Sequence, residues 1–110
     1  MRQLAMLFTA ILLAILLATG WASSEVAIWD TPRAVATHPW FIATLVDTYL
    51  AFFTFWLWLA YRETSNLSRA IWLVLIFALG NIAMASYVLL ALRKLPREAG
   101  IEALLLRPQA

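Results

Sequence analysis

One stretch of the sequence, residues 40–61, constrains the fold more than any other, because its 22 residues carry a single charge, that of Asp47. A helix of that length rises about 33 Å, which is enough to cross a bilayer core of about 30 Å. Trp40 begins the stretch, and Trp58 and Tyr61 lie near its end. Aromatic residues with polar tips concentrate at membrane–water interfaces. The stretch therefore predicts a membrane-spanning helix that contains a buried carboxylate.

Two further apolar segments complete the predicted architecture. Residues 4–21 are uncharged over 18 positions, and residues 70–92 are uncharged over 23. The chain of 110 residues is 65% hydrophobic and 13% charged, and a soluble domain of that size cannot bury so much apolar surface. We predict an all-α integral membrane protein, a single domain over residues 1–110, with three transmembrane helices at residues 4–21, 40–61 and 70–92.

The remaining segments are predicted to lie at the membrane surface. Residues 22–39 form an interfacial connection that contains Trp29, and residues 93–110 form a basic amphipathic tail. The loop at residues 62–69 is short enough to make its flanking helices antiparallel. A secretory signal peptide is the competing interpretation of the first segment, since Arg2 precedes it and Gly20 and Ala22 are small residues before a possible cleavage site. We favour a retained helix.

The basic residues do not agree on one orientation for three spans. The side with the N-terminus and the 62–69 loop carries three Lys and Arg, and the opposite side carries five. The first helix usually sets the orientation, and Arg2 in front of it favours a cytoplasmic N-terminus. We expect a multi-pass protein of the bacterial inner membrane with its N-terminus inside and its C-terminus outside.

Asp47 is the residue that most needs a partner, because a charge at the bilayer centre costs about 3 kcal/mol on insertion scales. In an antiparallel pair of straight helices, Asp47 lies level with residue 84, within reach of Asn81 and Ser86. We predict an intramembrane polar clamp of Asp47, Asn81 and Ser86 that fixes helix packing. The alternatives are a proton- or ligand-handling site at Asp47, and a contact with a partner protein or cofactor.

Small residues mark two predicted helix-packing positions, because they allow helix backbones to approach closely. The first is a ridge with a four-residue repeat, formed by Ala10, Ala14 and Ala18. The second is Gly80, which lies beside Asn81 and removes bulk where a polar contact needs close backbones.

An aromatic face lies on the side of the central helix opposite Asp47 and contains Tyr49, Phe52, Phe53 and Trp56. Such a face can hold a bound lipid, a quinone, a carotenoid or a porphyrin pigment, can dock on another membrane protein, or can simply face lipid. No cofactor is assigned. His38, the single histidine, is compatible with a porphyrin or metal. It directly precedes Pro39, so we favour a helix-capping or solvated residue and expect no metal.

The sequence lacks the motifs of the common catalytic sites. It contains no phosphate-binding Gly-rich loop, no HExxH, no GxSxG and no cysteine. The formal net charge of +2, without basic residues interleaved among the aromatic ones, does not suit a nucleic-acid groove. We predict a protein that is not an enzyme and binds no nucleic acid.

Two stretches, HPWFIATLVDTYLAFFTFWLWLAYRET and ALGNIAMASYVLLALRKLP, resemble a family of short, uncharacterised three-helix membrane proteins found in bacteria and plants. The resemblance is carried by the D-x-Y of Asp47 and Tyr49 and by the G-N-I-A run that begins at Gly80. It covers the second and third predicted helices and leaves the first helix and the tail outside. It implies no activity or ligand, but it associates Asp47 with Asn81.

The functional hypothesis from the sequence is a non-catalytic accessory subunit that packs against a larger membrane protein complex, with a respiratory or photosynthetic complex as the expected host. The alternative is a small membrane protein that binds or transports an apolar or protonatable ligand by means of Asp47. The expected partners are the lipid bilayer and larger membrane protein subunits.

Overall fold

The protein is all-α, as predicted, in a computed structural model that describes residues 2–96 and 99–107. The described chain contains six α-helices and one 3₁₀ turn, at Ile28–Asp30. The helices are α1 (Arg2–Glu25), α2 (Arg33–Ala36), α3 (Pro39–Arg62), α4 (Asn66–Leu79), α5 (Asn81–Lys94) and α6 (Ile101–Leu105). Of the predicted tail, α6 is described, whereas Arg97, Glu98 and residues 108–110 lie outside the described residues.

Two helices, α1 and α3, are long and apolar enough to cross a membrane, judged by length and composition. Each has 24 residues, and at 1.5 Å per residue each is about 36 Å long. They contain the predicted segments 4–21 and 40–61. An apolar helix in the core of a soluble protein would be largely buried, but α1 has no buried residue and α3 has only Leu59 and Arg62.

Side-chain caps fix where α3 and α4 begin. His38 Nδ1 accepts a hydrogen bond from the backbone N–H of Trp40 at 3.2 Å, and Pro39 occupies the first helical position, where its missing N–H costs nothing. Ser65 Oγ accepts from the N–H of Ser68 at 3.4 Å. The predicted capping role of His38 is therefore confirmed, and Ser65 caps α4 in the same way.

Helices α3 and α4 are antiparallel, as the short connection between them predicts. Arg69 joins the two helices next to the loop that connects them. Its Nε donates to the carbonyl of Ala60 at 2.8 Å, and its Nη2 donates to that of Glu63 at 2.6 Å. In return, Trp56 Nε1 donates to the carbonyl of Arg69 at 2.9 Å. The two Arg69 bonds satisfy carbonyls at the end of α3 that lack an intrahelical donor.

The continuous third helix predicted over residues 70–92 is wrong, because the chain breaks at Gly80 and reverses direction. Gly80 has φ 60° and ψ −125°, the geometry of the first central residue of a type II′ turn, which glycine adopts without steric cost. Residues on either side of Gly80 then pair: Trp72 and Tyr87 have ring centroids 5.0 Å apart. In a straight helix their Cα atoms would be separated by about 22 Å. Helices α4 and α5 therefore form an antiparallel hairpin.

The hairpin packs against both long helices. Leu59, Ile76, Ala83 and Tyr87 form one buried cluster, which joins α3, α4 and α5. A second cluster of Val88, Ala91 and Leu104 receives Leu4 and Phe8 from the first turns of α1. Helix α5 thus runs antiparallel to α1 and returns to the level at which the chain began.

One end of the molecule consequently collects the start of α1, the α3–α4 loop, the end of α5 and α6; we call it the basic end. Helix α6 is held there because Trp58 Nε1 donates to the Leu105 carbonyl at 3.0 Å. Arg107 Nε donates to the Tyr61 carbonyl at 2.7 Å, and its guanidinium lies 5.2 Å from the Tyr61 ring centre. The opposite end, called here the far end, contains the close of α1, α2 and the start of α3.

Substituting Gly80→Ala should destabilise the protein by about 2–4 kcal/mol, through backbone strain and overpacking. A Cβ on Gly80 would lie 2.8 Å from Phe52 Cζ, and φ would stay positive. Thermal unfolding of the detergent-solubilised protein, followed by circular dichroism, measures the loss. Gly20→Ala is the matched control, since a Cβ there meets no atom within 4 Å. Equal unfolding midpoints for the two variants would contradict the tight turn.

Candidate functional site: a buried arginine and an exposed carboxylate

The structure does not bring the three residues of the predicted polar clamp together. Asp47 is exposed on α3, and Asn81 is exposed at the hairpin turn. Ser86 Oγ donates to the carbonyl of Ile82 in its own helix at 2.6 Å. Over residues 2–96 and 99–107, no hydrogen bond joins Asp47 to Asn81 or to Ser86. The described residues therefore do not form the polar clamp that a straight third helix would allow.

The reversal at Gly80 explains why Asp47 has no hydrogen-bond partner from the described hairpin. The Phe52 ring marks the level on α3 that Gly80 reaches. Asp47 lies five residues beyond Phe52, about 7.5 Å further along the axis. The chain turns back before it reaches that depth. Asp47 and Trp58 are 11 residues apart and share one stripe of α3. The stripe packs against Tyr87 at Trp58. Four other residues on it are exposed: Ala43, Asp47, Ala51 and Thr54.

The predicted ridge of small residues on α1 is also exposed, at Ala10, Ala14 and Ala18. Helix α1 contacts the rest of the chain through a different face, on which Leu4 and Phe8 pack against the α5 cluster. The ridge therefore makes no use of its small side chains within the described chain. It remains a surface on which a second helix backbone can approach closely.

The predicted aromatic face is largely used within the chain. Phe52 lies against Gly80, and the Tyr49 ring is 5.6 Å from that of Phe77 on α4. Trp56 is held by its hydrogen bond to α4, and Phe53 stacks on Trp56 at 5.8 Å. Tyr49 and Phe53 keep exposed edges of 42% and 44%. Phe52 and Trp56 are thus used within the chain, whereas Tyr49 and Phe53 keep exposed surface.

The structure reveals a site that sequence reasoning missed, centred on Arg62. Arg62 is only 5% exposed, although a guanidinium is always charged. Its Nη1 donates to the Tyr87 hydroxyl at 3.2 Å, whereas its Nε is buried with no hydrogen-bond partner. The guanidinium carbon lies 5.7 Å from the Trp58 ring centre and 5.8 Å from that of Tyr87. Two aromatic rings thus stabilise the cation without neutralising it.

A cavity of about 180 Å³ opens beside this guanidinium, at the basic end. Its lining comes from three helices and the chain just after α3 and α5: Arg62, Glu63, Trp72, Tyr87, Leu90, Ala91, Lys94 and Leu95. Glu63 Oε1 accepts from Ser68 Oγ at 2.8 Å. In the described part of the chain, Glu63 makes no ion pair with Arg62. The site therefore presents to an open space a buried cation that has no direct ion pair, with the Glu63 carboxylate on the same wall.

The sequence contained one indication of this site. Trp58 precedes Arg62 by four residues, a spacing that places both side chains on one helix face. The hydropathy pattern by itself identifies Arg62 only as the first charge after the apolar run of residues 40–61. Its partner Tyr87 comes from beyond the hairpin turn, so the pairing depends on a reversal that hydropathy does not reveal.

The fold and these sites define an all-α protein with two helices long and apolar enough to cross a membrane, a helical hairpin and no assigned chemistry. The chain belongs to the family described as "Protein of unknown function (DUF1475)", whose model matches residues 4–109. The predicted resemblance to an uncharacterised family is thus confirmed. The prediction that the first helix and the tail lie outside it is wrong, because the match includes both. No curated protein and no solved structure matches the chain.

Replacing Tyr87 with Phe should lower the stability of the protein by about 1–3 kcal/mol, because the buried guanidinium loses its hydrogen-bond acceptor. Tyr49→Phe is the control: it removes the same hydroxyl from an exposed tyrosine that makes no hydrogen bond among the described residues. Thermal unfolding in detergent compares the two. If Tyr87→Phe unfolds at the same temperature as Tyr49→Phe, the Arg62–Tyr87 bond contributes nothing measurable.

Proposed function

We propose that the protein is integral to the membrane, with α1 and α3 crossing the bilayer and the α4–α5 hairpin entering from the basic end and returning. The apolar, exposed surfaces of α1 and α3 support this placement, because water would not solvate them favourably. Helices α4 and α5 have 14 residues each, or about 21 Å, less than a bilayer core of about 30 Å. The Gly80 turn would therefore lie inside the membrane, at a depth shared with Phe52.

The distribution of basic residues supports an orientation with the basic end in the cytoplasm. Of the seven Lys and Arg that the structure describes, only Arg33 lies at the far end. The other six lie at the basic end: Arg2, Arg62, Arg69, Arg93, Lys94 and Arg107. Cytoplasmic segments carry the excess of Lys and Arg. Both termini would then be cytoplasmic in a bacterial inner membrane, and the conflicting counts obtained for three spans disappear.

Single-cysteine labelling tests this topology cleanly, because the chain contains no native cysteine. In intact bacteria, a membrane-impermeant maleimide should label Ala36→Cys at the far end. It should label Gly100→Cys, at an open position near α6, only after lysis. Labelling of Gly100→Cys in intact cells would instead place the tail outside and support three crossings.

Within that membrane, the proposed role is a non-catalytic accessory subunit of a larger membrane protein assembly. The observation that carries this proposal is the exposure of Asp47 in the far half of α3, where the described chain supplies no donor. A carboxylate in hydrocarbon needs a polar partner. A neighbouring subunit that presents a donor to the Asp47 stripe supplies one, and the exposed alanine ridge of α1 offers a second close-packing contact.

Changing Asp47 to Leu should reduce recovery of the partner about tenfold, since the polar contact between subunits is lost while the fold is not. The affinity-tagged protein is extracted in mild detergent, and co-purified subunits are quantified by mass spectrometry. Thr54→Val is the matched control, because it alters the same exposed stripe and leaves the carboxylate in place. The hydroxyl that it removes donates to the Leu50 carbonyl within α3.

Partner recovery should be unchanged in Thr54→Val. Either of two results would contradict the proposal: equal recovery with Asp47→Leu, or a wild-type protein that purifies without any larger subunit. Circular dichroism of each variant confirms that the helices remain folded.

A further inference from the structure

We propose that the cavity beside Arg62 binds a phosphate group. The site is built rather than superficial, because its central guanidinium is 5% exposed and is held in place by two aromatic rings and the Tyr87 hydroxyl. Its Nε has no hydrogen-bond partner. A buried donor without an acceptor is costly, and a guanidinium fork matches the oxygens of phosphate.

The charges on the cavity wall favour an anion with one negative charge. Arg62 and Lys94 contribute two positive charges, and Glu63 contributes one negative charge, so the lining carries a net charge of +1. A phosphodiester carries a single negative charge and would neutralise the site. The remaining lining residues are apolar or aromatic, and they keep the cation in surroundings where its attraction to an anion is strong.

The cavity also has the size and position that a phosphate needs. A cavity requires only about 10–15 Å³ to hold one water molecule, so a space of about 180 Å³ admits a much larger group. It lies at the basic end, beside the end of α5 and the α3–α4 loop. Two sources share this chemistry: a phospholipid headgroup at the membrane surface, and a free phosphate from solution.

Binding to the purified full-length protein in detergent micelles tests the proposal. The probes are inorganic phosphate and dihexanoyl phosphatidylglycerol, an anionic phosphodiester. Dihexanoyl phosphatidylcholine, whose choline group cancels the charge of its phosphodiester, is the lipid of no net charge. Tryptophan emission follows binding, because Trp58 and Trp72 lie at the site. We expect at least one phosphate probe to saturate. Saturation by the lipid alone identifies a headgroup, and saturation by both identifies the phosphate group itself as the ligand.

Lys94→Gln is the decisive variant, because Lys94 is exposed and its replacement leaves the Arg62 cluster folded. It should raise the dissociation constant about tenfold, as expected for the loss of one charged contact. Arg62→Lys, which keeps the charge but loses the fork, should weaken binding further. Arg33→Gln removes the same charge from the far end and should bind as the wild type does.

The proposal fails if neither phosphate probe saturates, or if Lys94→Gln binds as tightly as Arg33→Gln. If Arg62→Lys does not fold, Lys94→Gln alone decides. The result is independent of the accessory role, because it needs no partner subunit, and loss of the partner through Asp47 would leave phosphate binding unchanged.

Discussion

The reversal of the chain at Gly80 determines where almost every other group in this protein lies. Only a residue without a Cβ fits there, because the backbone has a positive φ and the Phe52 ring occupies the space a side chain would need. The turn brings Tyr87 back beside Arg62 and sets α5 against α1. It also leaves Asp47 beyond the reach of the hairpin. The buried cation and the exposed carboxylate are thus two results of one backbone conformation.

Much of the architecture follows from the sequence. The two long apolar segments, the cap at His38 and the antiparallel connection after α3 are local properties, and the structure agrees with the prediction for each. Residues 70–92 were harder to interpret, since an uncharged run of 23 residues is apolar whether it crosses a bilayer or folds back within it. Hydropathy averages over a window and does not detect a reversal at one glycine.

The candidate sites were harder to predict for the same reason. The prediction that Asp47 pairs with Asn81 assumed two straight helices, in which residues at equal depth are in contact. The turn at Gly80 makes that assumption wrong. The pairing of Arg62 with Tyr87 spans 25 residues and requires the hairpin. One indication was nonetheless present in the sequence: Lys and Arg could not be assigned to one side of a three-span chain. Under the proposed two-crossing topology, the conflict between the Lys and Arg counts arises because residues 70–92 were counted as a third crossing.

The hairpin also gives the molecule unequal cross-sections at its two ends. Near the basic end, α1, α3, α4 and α5 lie side by side, whereas beyond the Gly80 turn the long helices of the described chain that continue are α1 and α3, which are connected through the short α2. In a bilayer, such a wedge displaces more lipid area from one leaflet than from the other. The protein would therefore favour a membrane bent to match its taper, or a neighbour that fills the narrow half and makes the assembly cylindrical.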